Sequence, residues 1–365
     1  MNKPQSLYIH IPFCEHICDY CDFPKLQYFR IFAQKYIDVL IEEIESLQID
    51  SLKTIYIGGG TPTALEDDLF LKLLSYLDKY LKNVIEYTIE ANPESLSINK
   101  LKMMKEHGVN RLSIGVESTN DKILKAINRH HTFFDVKNAV NNARKFGFDN
   151  INVDLIIGLP NVTKHLLNID IENILSLDID HVSCYSLSVH PHTVFYLKGI
   201  EENSSDKERE YYDLVHEKMQ KSGFIHYEIS NWAKKDKESE HNLTYWRNEH
   251  YYGVGLGASG YIDQLRYTNT KNINKYLNKD YKDYKEIVTL EDDRQYFIML
   301  SLRTIEGLSL TKYQNKYHDD LLKRKNKEIN QLINNKLLIY DDINQSLIPA
   351  YEGMMILDQI ILQLI

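Results

Sequence analysis

The chain has 365 residues, of which 43% are hydrophobic and 26% charged, so it has enough apolar residues for a sizeable core, and its length favours one large domain with a smaller unit attached. Its formal net charge of -9 excludes a general nucleic-acid binder, whose surface would be basic. We find no apolar signal segment at the N-terminus and no apolar run near the roughly 18 residues of a membrane span, and therefore expect a cytoplasmic protein with no nucleic acid among its partners.

Six short runs rich in β-branched residues alternate with amphipathic helical segments in the first half of the chain. The runs are SLYIHI at 6, KTIYIGG at 53, EYTIEA at 86, NRLSIGV at 110, NINVDLIIG at 150 and HVSCYSL at 181. The clearest helix is residues 33–48, in which Tyr36, Leu40 and Ile44 keep helical spacing. Such alternation indicates parallel strands joined by right-handed crossovers, and six units predict an α/β fold, a partial (β/α)6 barrel. In such a barrel the functional groups lie at the C-terminal ends of the strands.

The second half of the chain predicts a smaller appended unit. Residues 200–240 are rich in Glu, Lys, Asp and Ser and indicate a helix followed by an exposed loop. The polar run KNINKYLNKDYKDYK at 271 indicates a connector, and the segments after it indicate helices with one short hairpin. We therefore predict a barrel domain over 1–265, a connector over 266–285 and a small, mostly helical C-terminal domain over 286–365.

The stretch HIPFCEHICDYCDF, residues 10–23, carries three of the four cysteines: Cys14, Cys18 and Cys21. A disulfide framework would spread its cysteines along the chain, so a metal or cluster site is the better interpretation. Three thiolates from one loop suit a [4Fe-4S] cluster whose fourth iron has no protein ligand. A structural zinc site is the alternative, with His10 or His16 as a fourth ligand.

Two further features strengthen the interpretation of this loop. The spacing Cys-x3-Cys-x2-Cys, with Tyr20 just before the last cysteine, resembles the signature of radical S-adenosylmethionine (SAM) proteins. In that superfamily the amino and carboxylate groups of SAM chelate the open iron, and an electron from the cluster can cleave the sulfonium to a 5′-deoxyadenosyl radical. The fourth cysteine, Cys184, falls in an alternating strand and is interpreted as a small buried residue.

A closer resemblance extends through the whole barrel. LYIHIPFC, GGGTPT, RLSIGVES, INRHH and VDLIIGLP resemble, in this order, the oxygen-independent coproporphyrinogen dehydrogenase group. The dehydrogenase branch has a further cysteine two positions after the third, where this chain has Phe23. The sequence CDF, together with HNLTYW at 241, resembles instead the HemW branch, whose members are regarded as heme chaperones.

The resemblance implies which residues line the SAM site. It assigns to SAM the residues Tyr8, Gly59, Gly60, Thr61, Glu90, Arg129 and Asp154. Taken alone, the glycines predict only a tight strand-to-helix turn, Glu90 a cap or a solvated rim position, and Arg129 a surface residue at a helix end. Glu117 stands where the group usually has Gln. A carboxylate cannot donate the hydrogen bonds of an amide and adds a negative charge, which counts against the second SAM position that is proposed for this group.

The HNLTYW segment implies a third cofactor, since this motif is associated with heme binding in HemW proteins. His241 would offer an imidazole to heme iron, and Tyr245 and Trp246 would offer aromatic surface. Taken alone, the segment predicts a histidine in a surface loop.

The resemblance as a whole implies a heme chaperone that carries a SAM-coordinated [4Fe-4S] cluster. Its partners would be heme, an electron donor and a heme-acceptor protein, either free or at a membrane. The alternatives are an enzyme that decarboxylates coproporphyrinogen III to protoporphyrinogen IX, against which Phe23 counts, and a simple electron carrier, which would need no SAM site.

Overall fold

A computed structural model describes residues 3–365. Its strands are β1 Ser6–Ile11, β2 Phe13–Cys14, β3 Leu26–Gln27, β4 Thr54–Gly59, β5 Glu86–Ala91, β6 Arg111–Glu117, β7 Ile151–Ile157, β8 His181–Ser186, β9 Ile225–Glu228, β10 Asn231–Ala233, β11 Tyr252–Val254, β12 Ser259–Ile262, β13 Leu265–Asn269, β14 Lys282–Ile287, β15 Leu308–Ser309, β16 Leu338–Asp341 and β17 Ser346–Pro349. Its α-helices are α1 Arg30–Ser46, α2 Asp67–Leu77, α3 Ile98–Glu106, α4 Asp121–Ala126, α5 Phe133–Lys145, α6 Lys164–Leu175, α7 Val194–Leu197, α8 Ser205–Lys221, α9 Glu240–Trp246, α10 Ile273–Leu277, α11 Leu290–Ser301, α12 Leu310–Tyr317, α13 Leu321–Arg324, α14 Asn326–Asn334, α15 Tyr351–Met355 and α16 Leu357–Leu364.

The main sheet confirms the predicted barrel. Its nine strands run in the order β11-β1-β4-β5-β6-β7-β8-β10-β9, and all neighbours from β11 to β8 are parallel. All six predicted strands lie in this parallel part. The hairpin of β9 and β10 continues the sheet in antiparallel fashion beyond β8. Since β11 and β9 are the two edges, the described chain forms an open, partial barrel.

The parallel strands form where they do because both of their faces are buried, which requires nearly continuous apolar runs. In β7, for example, six of seven residues are buried. Helix α1 covers the sheet with Tyr36, Leu40 and Ile44, all fully buried. It begins three residues before the predicted start and ends at Ser46, since Gln48 has a φ of 48° and cannot continue the helix.

The predicted connector contains regular structure in the described chain. Its residues contribute most of an antiparallel sheet, β12-β13-β14, and all of helix α10. Tyr276 of α10 is fully buried and its hydroxyl donates a 2.7 Å hydrogen bond to Glu43 of α1. Asn269 is also buried, and its amide donates a 2.7 Å hydrogen bond to Glu43, so polar as well as aromatic side chains anchor the segment to the barrel.

The C-terminal unit has a hydrophobic core of its own. Phe297, Leu308, Leu332, Leu347 and Ile360 belong to it, drawn from helices α11, α14 and α16 and from the small sheet β15-β17-β16. The unit meets the barrel at the edge strand β9, where the Ile305 N–H donates a 3.0 Å hydrogen bond to the Tyr227 carbonyl. None of the helices within residues 3–365 combines the length and the apolar character needed to cross a bilayer.

Candidate functional site

The C-terminal ends of the parallel strands enclose a cavity of about 390 Å³. Of the twelve residues that the sequence analysis assigned to the cluster, to SAM or to heme, ten line this cavity. These ten are Cys14, Cys18, Cys21, Gly59, Gly60, Thr61, Glu90, Glu117, Arg129 and Asp154. Tyr8 and His241 are the two that do not line it. The polar groups thus converge at the strand ends, as expected for a barrel of this kind.

The cysteine loop is held by backbone contacts. Cys14 lies in β2, which pairs with β3 and so closes the loop at its base. The Cys21 N–H donates to the Cys18 carbonyl at 3.3 Å, which forms a turn between these two cysteines. The Asp19 N–H reaches the Ile127 carbonyl at 3.1 Å and fixes the loop against the segment after α4. These contacts keep three free thiols on one wall of the cavity.

The candidate ligands around the cysteine loop bear on the choice between a cluster and a single zinc ion. Within residues 3–365, no three His, Cys, Asp or Glu side chains are placed to hold one metal ion. His10 is engaged elsewhere, since Nε2 is 2.8 Å from the Pro24 carbonyl and Nδ1 is 3.0 Å from the Tyr8 hydroxyl. The His16 ring stacks on His130 at 3.7 Å. His10 is therefore not available as a fourth zinc ligand, whereas His16 lines the cavity. The three thiols of one loop fit an iron–sulfur cluster with one open iron.

Burial raises the pKa of all three thiols, that of Cys21 to about 11. Cluster assembly must therefore displace three thiol protons, because iron binds the thiolate.

Gly59, the last residue of β4, and Gly60 after it allow the chain to pass close to the cysteine loop. A Cβ at Gly60 would lie 2.9 Å from the Cys14 Sγ and 2.9 Å from the Phe13 carbonyl oxygen. Gly59 has a φ of +117°, and its N–H donates to the Glu90 carboxylate at 2.9 Å. The Thr61 hydroxyl contacts the Cys14 Sγ at 3.7 Å. This close approach requires glycine.

Arg129 is a buried residue of the site and not a surface arginine. Only 8% of it is exposed, and Nη1 lies 3.8 Å from the Cys18 Sγ. The same nitrogen donates to Asn92 Oδ1 at 2.9 Å, and Nη2 lies 3.5 Å from Glu117 Oε1. A guanidinium beside the cysteine loop stabilises the negative charge that three thiolates would bring.

Three partly or fully buried carboxyl groups face the same cavity. Burial raises the pKa of Glu90 and of Glu117 to about 7, and it also raises that of Asp154. Glu90 accepts a 2.8 Å hydrogen bond from the Tyr56 hydroxyl, and Asp154 accepts one of 2.8 Å from Asn152. Carboxyl groups that line one cavity suit a ligand with cationic groups, such as the ammonium and sulfonium of SAM.

Glu117 occupies an unusual backbone position. It has a φ of 63° and lies at an irregularity in the pairing of β6 with β7. The bulge turns its side chain toward Arg129, so the departure from Gln is accommodated by an ion pair.

Arg111 is a cavity residue that the sequence analysis missed. It begins β6, is 2% exposed and lines the cavity. Its Nε is buried without a hydrogen-bond partner within the described chain. A charged residue at the start of the apolar run NRLSIGV was the available signal, because charges are rarely buried without a role.

His241 lies in helix α9, so the loop interpretation of HNLTYW was wrong. The imidazole is 1% exposed, with Nδ1 2.8 Å from the Thr54 hydroxyl and Nε2 2.7 Å from the Tyr245 hydroxyl. Burial lowers its pKa to about 3, so the ring is neutral. Both nitrogens have protein partners, and the part of the motif that reaches the cavity is Asn242.

The fold and the site define a radical SAM protein. The sequence profile of the Radical SAM superfamily matches residues 8–171. Heme chaperone HemW of Lactococcus lactis is 39% identical over 93% of this chain and 92% of its own length, and that of Bacillus subtilis is 43% identical over 86% and 87%. The chain belongs to the HemW family of heme chaperones.

The fold is also that of a solved relative. Coproporphyrinogen III oxidase (HemN) from Escherichia coli, a radical SAM enzyme, superposes with a TM-score of 0.86 over 99% of this chain and 90% of its own. Sequence identity is 22%, so this similarity concerns the fold.

Proposed function

We propose that this protein binds heme and a SAM-coordinated [4Fe-4S] cluster, and that it delivers the heme to an acceptor protein. The observation that carries the proposal is the placement of Cys14, Cys18 and Cys21 on one cavity wall together with Phe23, in a chain whose relatives are named heme chaperones. Phe23 is 61% exposed at the mouth of that cavity. Its side chain has no thiol, unlike the cysteine that the dehydrogenase branch has at this position.

The residues of the cavity divide into two sets under this proposal. The three cysteines hold the cluster, and Arg129 offsets their charge. Gly59, Gly60 and Thr61 receive the methionine end of SAM, and the buried carboxylates lie where its cationic groups would bind. When bound, the cluster supplies one electron at a time to SAM.

The remaining partners follow from this chemistry. A cluster that is reduced needs an electron donor, and a heme chaperone needs an acceptor for its heme. We place the protein in the cytoplasm.

The test uses the full chain with its cluster reconstituted anaerobically. Heme is added to one sample and the absorption spectrum is recorded; we expect a stable Soret band with saturable binding. Coproporphyrinogen III, SAM and a reductant are added to another; we expect no more protoporphyrinogen than in a control without SAM. Multiple turnovers of coproporphyrinogen, or the absence of saturable heme binding, would overturn the proposal.

A further inference from the structure

The cavity behind the cysteine loop contains an arginine that no other residue holds. Arg111 is the first residue of β6, it is 2% exposed and it lines the cavity. Its Nε is buried without a hydrogen-bond partner, and no residue from 3 to 365 accepts a hydrogen bond from its terminal nitrogens or forms an ion pair with them. A buried charge without a partner costs free energy, so this guanidinium requires an explanation.

Arg111 differs from the other arginines whose Nε is buried and unpaired, which are Arg129 and Arg266. Nη1 of Arg129 donates to Asn92 at 2.9 Å, and Nη2 of Arg266 donates to Asn248 at 2.9 Å. In both of these residues the protein holds the outer part of the guanidinium. In Arg111 the whole guanidinium is free, and it faces the cavity.

The acids Glu90 and Asp154 of the same cavity do not supply the missing partner. The two oxygens of Glu90 accept hydrogen bonds from the Tyr56 hydroxyl at 2.8 Å and from the Gly59 N–H at 2.9 Å. Asp154 accepts a 2.8 Å hydrogen bond from Asn152. Because these carboxylates bind other donors, an acceptor for Arg111 has to come from a ligand.

Helix α9 brings a second free donor to this part of the cavity. His241 contacts Thr54 at the start of β4, so α9 closes the end of the barrel at which β6 also begins. Burial, and in addition the charge of Arg111, lowers the pKa of His241 to about 3, which shows that the guanidinium lies near α9.

The next residue of α9, Asn242, lines the cavity, and its side-chain amide makes no hydrogen bond within the described chain. We call Arg111 and Asn242 the floor of the cavity. A guanidinium and an amide both donate hydrogen bonds, and the fork of an arginine matches the two oxygens of a carboxylate. The floor therefore suits a ligand that carries a carboxylate.

The floor is remote from the cluster. Arg111 begins β6 and Glu117 ends it, so their Cα atoms are about 20 Å apart along the strand. Glu117 lies at the cysteine end, where it pairs with Arg129 beside Cys18. A SAM carboxylate that chelates the open iron is bound at that end. The floor consequently serves a different carboxylate.

We propose that Arg111 binds a carboxylate of the carried ligand, which under the proposed function is a propionate of heme. The inference rests on the proposed function, because it names the group by which the protein holds its heme. A propionate is a short, flexible arm that ends in a carboxylate, and a buried guanidinium would form a bidentate pair with it. The site also lies beside α9, the helix that carries the HNLTYW motif.

The test compares heme with heme dimethyl ester, in which both propionates are capped. Each is titrated into the cluster-loaded full chain and followed by absorption. We expect the wild type to bind heme at least tenfold more tightly than the ester, and Arg111→Met to bind the two equally. Arg303→Met removes the same charge from the C-terminal unit, away from the cavity, and should keep the wild-type preference.

Two measurements on Arg111→Met separate carboxylate binding from a structural role. The ester should bind this variant as tightly as it binds the wild type, since it lacks the carboxylate. The ligand-free variant should unfold at no lower denaturant concentration than the wild type, because the substitution removes an unpaired buried charge. Weaker ester binding or a lower unfolding midpoint would show that Arg111 supports the fold and would overturn the proposal.

A third measurement distinguishes heme from SAM as the source of the carboxylate. SAM affinity, measured by calorimetry under anaerobic conditions, should be equal in Arg111→Met and the wild type. A tenfold loss of SAM affinity with the preference for heme over its ester retained would assign Arg111 to SAM and overturn the proposal.

The outcomes also distinguish this inference from the proposed function. If the wild type binds neither heme nor its ester, both fail. If the wild type binds the two equally, the carboxylate site fails and the chaperone proposal stands.

Discussion

The Nε2 atom of His241 lies 2.7 Å from the hydroxyl oxygen of Tyr245, one helical turn further along α9. The pair joins the first and fifth residues of the HNLTYW motif. Because Nδ1 is bonded to Thr54 at the start of β4, the motif fastens helix α9 to the barrel. In this structure the histidine and tyrosine of the motif stabilise the fold.

We therefore predict that Tyr245→Phe lowers the free energy of unfolding by about 1–3 kcal/mol, the cost of leaving a buried polar group without a partner. The heme Soret band should stay where it is in the wild type. Denaturant unfolding and a heme titration measure the two quantities. Tyr196→Phe is the matched control, since Tyr196 is 54% exposed. A shifted Soret band in Tyr245→Phe would instead implicate His241 in heme binding.

The cysteine loop makes a second prediction. Replacing Cys14, Cys18 or Cys21 by Ala should each abolish the cluster, because a cubane held by only two thiolates is open to solvent and oxidation. Iron and sulfide analysis after anaerobic reconstitution measures this. Cys184→Ala serves as control, since Cys184 is buried in β8 away from the loop. Full iron content in any of the three loop variants contradicts the assignment.

Gly60 makes a third prediction. Gly60→Ala would place a Cβ 2.8 Å from the Pro12 carbonyl carbon and 2.9 Å from the Cys14 Sγ, so the loop must move. We expect reduced iron content and at least tenfold weaker SAM binding, the latter measured by calorimetry under anaerobic conditions. Gly199→Ala is the control, because that glycine has nothing within 4 Å of its Cβ position. Equal SAM affinity in the two variants would show that close approach at Gly60 is not required.

Glu228 makes a prediction about pH. It is fully buried in β9, and burial raises its pKa from 4.5 to about 7. Between these two values the unfolded chain releases a proton that the folded chain keeps, so stability falls as pH rises from 4.5 to 7 and changes no further above 7. At about 1.4 kcal/mol per pKa unit, the full loss is on the order of 3 kcal/mol.

Glu228→Gln should remove this dependence. Asn231 Nδ2 and the Ser230 N–H each donate to one of the two carboxylate oxygens, and the amide keeps only one of these acceptors, a loss that is the same at every pH. Denaturant titration gives the unfolding free energy of the variant minus that of the wild type. We expect this difference to be more positive at pH 8 than at pH 5. Asp213→Asn, at a partly exposed carboxylate of α8, is the comparison. A stability difference independent of pH would mean that Glu228 is charged in the folded protein.

The sequence by itself determined the barrel and its cluster loop. A parallel strand buried on both faces must be apolar along its length, so the six runs were visible locally. The three cysteines are also a local signal, since they lie within eight residues of one another. Residues at strand ends could be selected because parallel strands place these ends at one edge of the sheet.

Only the tertiary structure decided which polar side chains meet. Arg129 reaches Cys18 across 111 residues of chain, and no local pattern distinguishes it from a surface arginine. His241 was expected to be available and is enclosed, because its partner Thr54 comes from a strand far away in the sequence. His216 of α8 stacks on Tyr351 of the C-terminal unit at 4.0 Å, a contact between elements far apart in the chain. Such contacts depend on how distant elements pack, and packing leaves no periodic signal in a single sequence.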